Sequence, residues 1–235
     1  MTTWLDKKAD TQIAAQLNLK FALRETFTPH FVTISREYGC DGRLLAAGLQ
    51  ERLNQRQDEM PWHTIDRAQL LKNADPNELN EERLNILEEY GHSEFQGYLQ
   101  EALFGQKSQL QTIQILANMI RVAARRGHVI LLGAGASVLT QDYDHAVHIR
   151  LFANKDWRAE NHAQRHNLTL DEGKKAVEEQ DAHRYNYLKT YLSEDISNRY
   201  LYDIMIDNAK VGTETAIDLC FRLICEKLQI RKTIR

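Results

Sequence analysis

Apolar positions along the chain follow two spacings. Continuous runs rich in β-branched residues occur in "HFVTIS" from His30, "HVILLGAGA" from His128, "HAVHIRLFA" from His145 and "LYDIMIDNA" from Leu201, with a shorter one, "WHTID", ending at Asp66. Such runs predict strands buried on both faces. Between them, apolar residues recur every three or four positions: Leu45, Leu49 and Leu53 within 43–54, then Ile113, Leu116, Ile120 and Ala124 within 109–126, and again along "ETAIDLCFRLICEKLQI". This spacing predicts amphipathic helices, the long central one stopped at Gly127. "RAQLLKNA" predicts a helix after Asp66, and the charged stretch from Asp156 to Leu192 predicts successive surface helices. Ile13, Leu17 and Phe21 give 10–25 a helical spacing that Thr28-Pro29 breaks.

Alternating strands and helices predict an α/β fold with a parallel sheet covered on both faces. The expected organisation is a helical extension over 1–29 and one α/β domain over 30–235. Within the domain, a polar, acidic helical insert is expected over 75–109 and lid-like helices over 155–198. Sheets of this kind bind ligands at the carboxyl ends of their strands. Four polar segments follow strands directly: Ser35 to Arg43, Asp66, Gly133 to Gly135, and Asp207-Asn208. The topology predicts that they meet in one pocket.

Composition narrows the partners. A net charge of −3 carries no overall basic footprint for nucleic acid or an anionic membrane, so a polyanion site must be local. Three cysteines without a CxxC pair argue against a disulfide framework or structural zinc and fit a reducing compartment. The first twenty residues lack a signal-peptide apolar core, and no apolar run is long enough to span a bilayer. The expectation is a cytoplasmic protein with no membrane association, with the N-terminal helix as the candidate surface for homo-oligomers.

The stretch "SREYGCDGRLL" links a strand to a helix, the order that lets backbone N–H groups and a helix N-terminus cradle phosphate. Against the pattern GxxxxGK[ST], Gly42 takes the second glycine position. Arg43 stands at the lysine, Leu44 at the magnesium-holding hydroxyl and Glu37 at the first glycine. By spacing alone an ordinary turn competes with a phosphate site. Cys40 lies where a helix N-terminus tends to lower a thiol pKa, but no base accompanies it, so it reads as a serine substitute. Asp66 could contact a ligand or cap a helix. Asp207 and Asn208 read as closing the last strand. Asp181 and Arg184 share a helix face and could form a surface ion pair. His162 and His166 are four apart, but no further ligand at a recognised spacing completes a metal site.

"FVTISREYGCDGR" resembles the cytidylate kinase-like family, a divergent branch of P-loop nucleoside monophosphate kinases. "TIDRAQLL", "ANMIRVAARRGHVILLGAGASVL", "LFANKDWRAE", "EQDAHRYNYLKTYL" and "YDIMIDNAKVGTETAIDL" continue the resemblance in order. It implies a P-loop NTPase-type parallel sheet with a helical insert and a lid, and ATP-dependent phosphoryl transfer to a small acceptor such as CMP. ATP and Mg2+ would be the cofactors, the ion held through phosphates and water. It implies phosphate or nucleotide contacts from Ser35, Arg36, Gly39, Cys40, Asp41, Gly42, Arg43 and Leu44, and acceptor contacts from Asp66, Gly133, Ala134 and Gly135. Arg43, Arg158 and Arg184 would neutralise transition-state charge, with Asp181 orienting an arginine. Three positions depart from the family pattern: Asp41 replaces a glycine, Cys40 a serine, and Ala134 an arginine. Asp41, Leu44 and Ala134 motivate the alternative of a nucleotide-binding or interaction protein that has lost catalysis.

Overall fold

The structure, a computed structural model, describes residues 30–56, 60–72 and 106–229. Five strands alternate with helices: β1 (Phe31–Arg36), α1 (Gly42–Asn54), β2 (His63–Asp66), α2 (Arg67–Lys72), α3 (Gln106–Arg126), β3 (Val129–Leu132), α4 (Ala136–Leu139), β4 (Ala146–Phe152), α5 (Lys155–His166), α6 (Leu170–Tyr191), β5 (Ile204–Asp207), α7 (Asn208–Val211) and α8 (Thr213–Lys227). The strands are all parallel in the order β2-β3-β1-β4-β5. This α/β architecture matches the expected P-loop kinase-like fold. The expected N-terminal helix and residues 75–105 of the expected insert lie outside the described residues. Residues 106–109 open α3, so the long helix begins before Gln109.

The apolar runs are continuous because both sheet faces are covered. Val32, Ile34, Ile130, Leu132, Val147 and Ile149 point to one face, against Leu45, Leu49 and Leu53 of α1 and Ile217, Cys220 and Ile224 of α8. Phe31, Val129, Leu131 and Ala146 point to the other, against Leu116, Ile120 and Ala124 of α3.

Along β1 and β4 this second face changes character. Phe31 pairs with Ala146, Thr33 with His148, and Ser35 with Arg150. Each rung toward the carboxyl ends is more polar, which aims charge at the site without breaking the core below. The middle rung is buried and self-satisfied: Thr33 Oγ1 lies 2.8 Å from His148 Nδ1. Burial pushes His148 down to about 4.

Asn154 caps α5 through the Asp156 amide, and a Thr169–Glu172 capping box starts α6. These caps place α6 across the strand ends.

Candidate active site

The polar segments converge as the topology requires. Asp66 ends β2 beside Leu132, and Phe152 lies beside Asp207. The loop after β1 runs between them into α1. Glu37 extends the pairing, donating its amide to Leu151 O at 3.0 Å. Gly39 then turns at φ +87°, and a Cβ there would stand 2.5 Å from Arg158 O, so only glycine lets α5 pack this closely.

The side of the loop facing α5 and α6 is closed by charge pairs. Glu37 accepts from the Ala153 amide at 3.1 Å and lies 3.3 Å from Arg158 Nε and 3.5 Å from Arg150 Nη2. Asp181 accepts from the Tyr38 amide at 2.9 Å and from Arg158 Nη1. Arg158 also donates to Tyr38 O and Ala153 O, so its buried guanidinium is held by four protein acceptors. Arg150, a charge within an apolar strand, is missing from the sequence-based site. It is 5% exposed, donates to Ser35 Oγ and stacks on Tyr202. Its position in "HAVHIRLFA" was the available signal, because a cation inside such a run must find partners.

Two loop residues are held by their surroundings. Asp41 turns its carboxylate away from the cleft. Asn161 Nδ2 donates to Oδ1 at 2.8 Å, Arg165 pairs with the same oxygen, and Thr213 Oγ1 donates to Oδ2 at 2.6 Å. Its amide donates to Asn208 Oδ1 at 2.7 Å and its carbonyl accepts from Leu45. Asp41 is therefore a scaffold residue here and offers no free polar group to a phosphate. At Cys40, burial and the nearby Glu37 carboxylate push the thiol up to about 12, against the lowering that a helix N-terminus tends to give.

The cleft side is built from cations. The Arg36 side chain runs past Gly42 and ends against Gly133, where a Cβ would stand 1.9 Å from Nη1. Among the described residues its guanidinium has no hydrogen-bond acceptor and no paired carboxylate. Burial, then Arg184 and Arg43, push it down to about 9, with Asp66 opposing. Arg184 donates to Arg36 O at 3.2 Å and lies over Tyr38; burial lowers its pKa too. Arg43 is 82% exposed at the mouth and donates to Asp66 Oδ2 at 3.3 Å. Asp66 Oδ1 caps the following turn through the Gln69 amide, the helix-cap alternative for this residue. The amides of Gly42, Arg43 and Leu44 form the open first turn of α1. The Leu44 side chain is 51% exposed.

Gly133, Ala134 and Gly135 all have positive φ. The Ala134 methyl packs against the cluster containing Leu131 and Ala136, and Tyr187 OH reaches Ala134 O at 3.5 Å. Asp181, Arg184, Tyr187 and Leu188 thus lay one face of α6 across both the β1 and β3 loops. Asp207 caps α7, as expected of a closing residue. His162 and His166 stack at 4.4 Å, and among the described residues no group of three or more His, Cys, Asp or Glu could hold a metal ion. No helix among the described residues is long and apolar enough to cross a membrane.

Comparison with known proteins agrees with the fold. The crystal structure of an uncharacterized protein from Eubacterium ventriosum ATCC 27560 superposes with a TM-score of 0.62 at 20% identity, covering 84% of this chain and 98% of that one. No curated protein matches the chain by sequence. The model of the cytidylate kinase-like family matches residues 31–210, from the first residue of β1 into α7, and the chain therefore belongs to this family of nucleotide-kinase-like proteins.

Proposed function

We propose that the protein transfers the terminal phosphoryl group of ATP to a small acceptor, with a nucleoside monophosphate such as CMP the leading candidate. The observation that carries this reading is Arg36. A guanidinium without an acceptor among the described residues, flanked by Arg184 and Arg43, is costly unless an anion completes it.

Phosphoryl transfer needs mainly positioning and charge neutralisation. The amides of Gly42, Arg43 and Leu44 would donate to phosphate oxygens, with Arg43 closing the mouth. Arg36 and Arg184 would face the transferring group, their planar forks suiting phosphate oxygens. Arg158 and Asp181 would act as positioning residues, holding Tyr38 and the lid helix in place. Asp66 and the 133–135 loop would border the acceptor. A bound magnesium ion would neutralise phosphate charge. With no hydroxyl at Leu44 and no acidic cage among the described residues, the chain suits an ion carried on phosphates and water.

Isothermal titration with ATP, and a coupled turnover assay with CMP, UMP and AMP, test this. ATP binding with turnover of one monophosphate is the expected result; absence of any nucleotide binding would overturn it. The second reading, binding without turnover, draws on Leu44 and on the full engagement of Arg158, and predicts titration heat with a silent turnover assay.

A further inference from the structure

Asp41 occupies the N-cap position of α1, yet its side chain makes no cap. An aspartate there ordinarily turns its carboxylate onto the second and third amides of the helix, here Arg43 and Leu44, where dipole and hydrogen bonds both favour it. Those are the amides the proposed phosphate site needs. In this chain the carboxylate is pulled the other way by Asn161 and Arg165 of α5 and Thr213 at the start of α8. Asn161 also donates to Gly39 O at 2.7 Å, which ties the same clamp to the loop backbone.

We propose that Asn161, Arg165 and Thr213 are positioning residues whose task is to hold the Asp41 carboxylate out of the anion site. Loosening the clamp lets the protein cap its own helix and exclude phosphate. The inference rests on the phosphate-site reading above, because it needs those amides to be the ligand's. It also accounts for the tolerance of an acidic residue in an anion-binding loop. The charge is neutralised on the outer side by Arg165, and the cleft is left to Arg36, Arg43 and Arg184. The clamp residues come from two distant parts of the sequence, so the side chain's direction is set by tertiary packing and not by the loop.

The test titrates the full chain with inorganic tripolyphosphate. Arg165 is exposed on its outer side, so Arg165→Met should fold, and it should weaken binding several-fold. Arg165→Met with Thr213→Val should weaken it by about tenfold or more. Adding Asp41→Ala to that double variant should restore affinity to within about threefold of the parent, because the competing carboxylate is gone. A purely structural network would show the reverse, each added substitution weakening binding further; that result, or undiminished binding in Arg165→Met and in the double variant, overturns the proposal. Should the double variant not fold, the pair Arg165→Met and Arg165→Met with Asp41→Ala carries the same rescue test. A parent chain that binds no tripolyphosphate would overturn the phosphate-site reading itself, and this inference with it. Binding by the parent without rescue overturns the inference alone.

Discussion

The loop after β1 has two sides that are charged in opposite ways. Toward α5, the carboxylates of Glu37, Asp41 and Asp181 meet the guanidinium groups of Arg150, Arg158 and Arg165, each in contact with a partner. Toward the cleft, Asp66 pairs with Arg43 and acts on Arg36, while Arg184 donates to Arg36 O and feels Asp181 from the same helix. The first set completes itself on folding. Among the described residues the second keeps excess positive charge, which a bound anion would balance. Residue type does not separate the two sets, because both are made of arginines; the presence or absence of acceptors does. The comparison makes a sharp demand: substitutions on the first side should cost stability, and substitutions on the second should cost binding.

The largest expected effect is Arg158→Met. It removes the central cation of the paired side and leaves Glu37 and Asp181 without it, two carboxylates about a quarter to a third exposed. Breaking such a pair should cost about 3 kcal/mol, at the lower end for buried pairs because its partners are partly solvated. Urea denaturation reads the loss directly. A change below about 0.5 kcal/mol would place Arg158 with the surface charges and dissolve the distinction.

One rung below both sides lies His148, which is kept neutral. Its folded pKa of about 4 lies below its ordinary value of 6.5, through burial first, with Asp203 opposing and Lys227 assisting. The unfolded chain therefore takes up the proton first as pH falls, so stability drops between pH 6.5 and about 4 and is flat in this respect above 6.5. The full drop is roughly 3 kcal/mol. His148→Asn, which can still meet Thr33, should flatten the denaturation midpoint across that window. An identical acid profile in parent and variant would assign the acid sensitivity to the carboxylates of the paired side instead.

Much of the fold is legible because burial on both faces leaves a plain trace. β1, β3 and β4 read as unbroken apolar runs, and Leu45, Leu49 and Leu53 mark the inner face of α1. The place of the site is legible for the same reason, since a parallel sheet gathers its strand ends. What cannot be read is which arginines are already paired. Arg158 and Arg184 both sit on charged helices with carboxylates nearby in sequence, yet among the described residues one is held by four protein acceptors and the other by one carbonyl, that of Arg36. The decisive partner of Arg158, Glu37, comes from a different part of the chain. The direction of the Asp41 carboxylate is set likewise by α5 and α8. Local sequence carries no record of either choice.

On the cleft side the sign of the stability effect should reverse. Arg36→Met keeps the stem that packs along Gly42 and removes a charge with no acceptor among the described residues. The ligand-free protein should gain about 1 kcal/mol, since deleting an unpaired, desolvated charge removes its penalty. The same variant should bind tripolyphosphate at least tenfold more weakly. Denaturation and titration on one preparation give both numbers. A loss of stability comparable to that of Arg158→Met would show that Arg36 is paired after all, and would move it to the other side of the comparison.

The smallest stability effect belongs to Arg43. Its side chain is 82% exposed, and its only described partner is Asp66 Oδ2 at 3.3 Å. An exposed pair of this kind is worth less than about 0.5 kcal/mol. Losing it leaves Asp66 solvated and still capping through Oδ1 to the Gln69 amide, so the helix start is preserved. Arg43→Ala should therefore leave the denaturation midpoint unchanged within error. Its effect should appear only with ligand, and should grow with the ligand's charge. A charge-assisted contact at the mouth is worth about 1.5–3 kcal/mol once an anion occupies it, while a monophosphate seated deeper, at Arg36 and Arg184, need not reach it. Titration of parent and variant with tripolyphosphate and with monophosphate should show a loss of tenfold or more for the first and little for the second. Equal losses would place both anions at the mouth and leave the deeper pair of arginines without a ligand of its own.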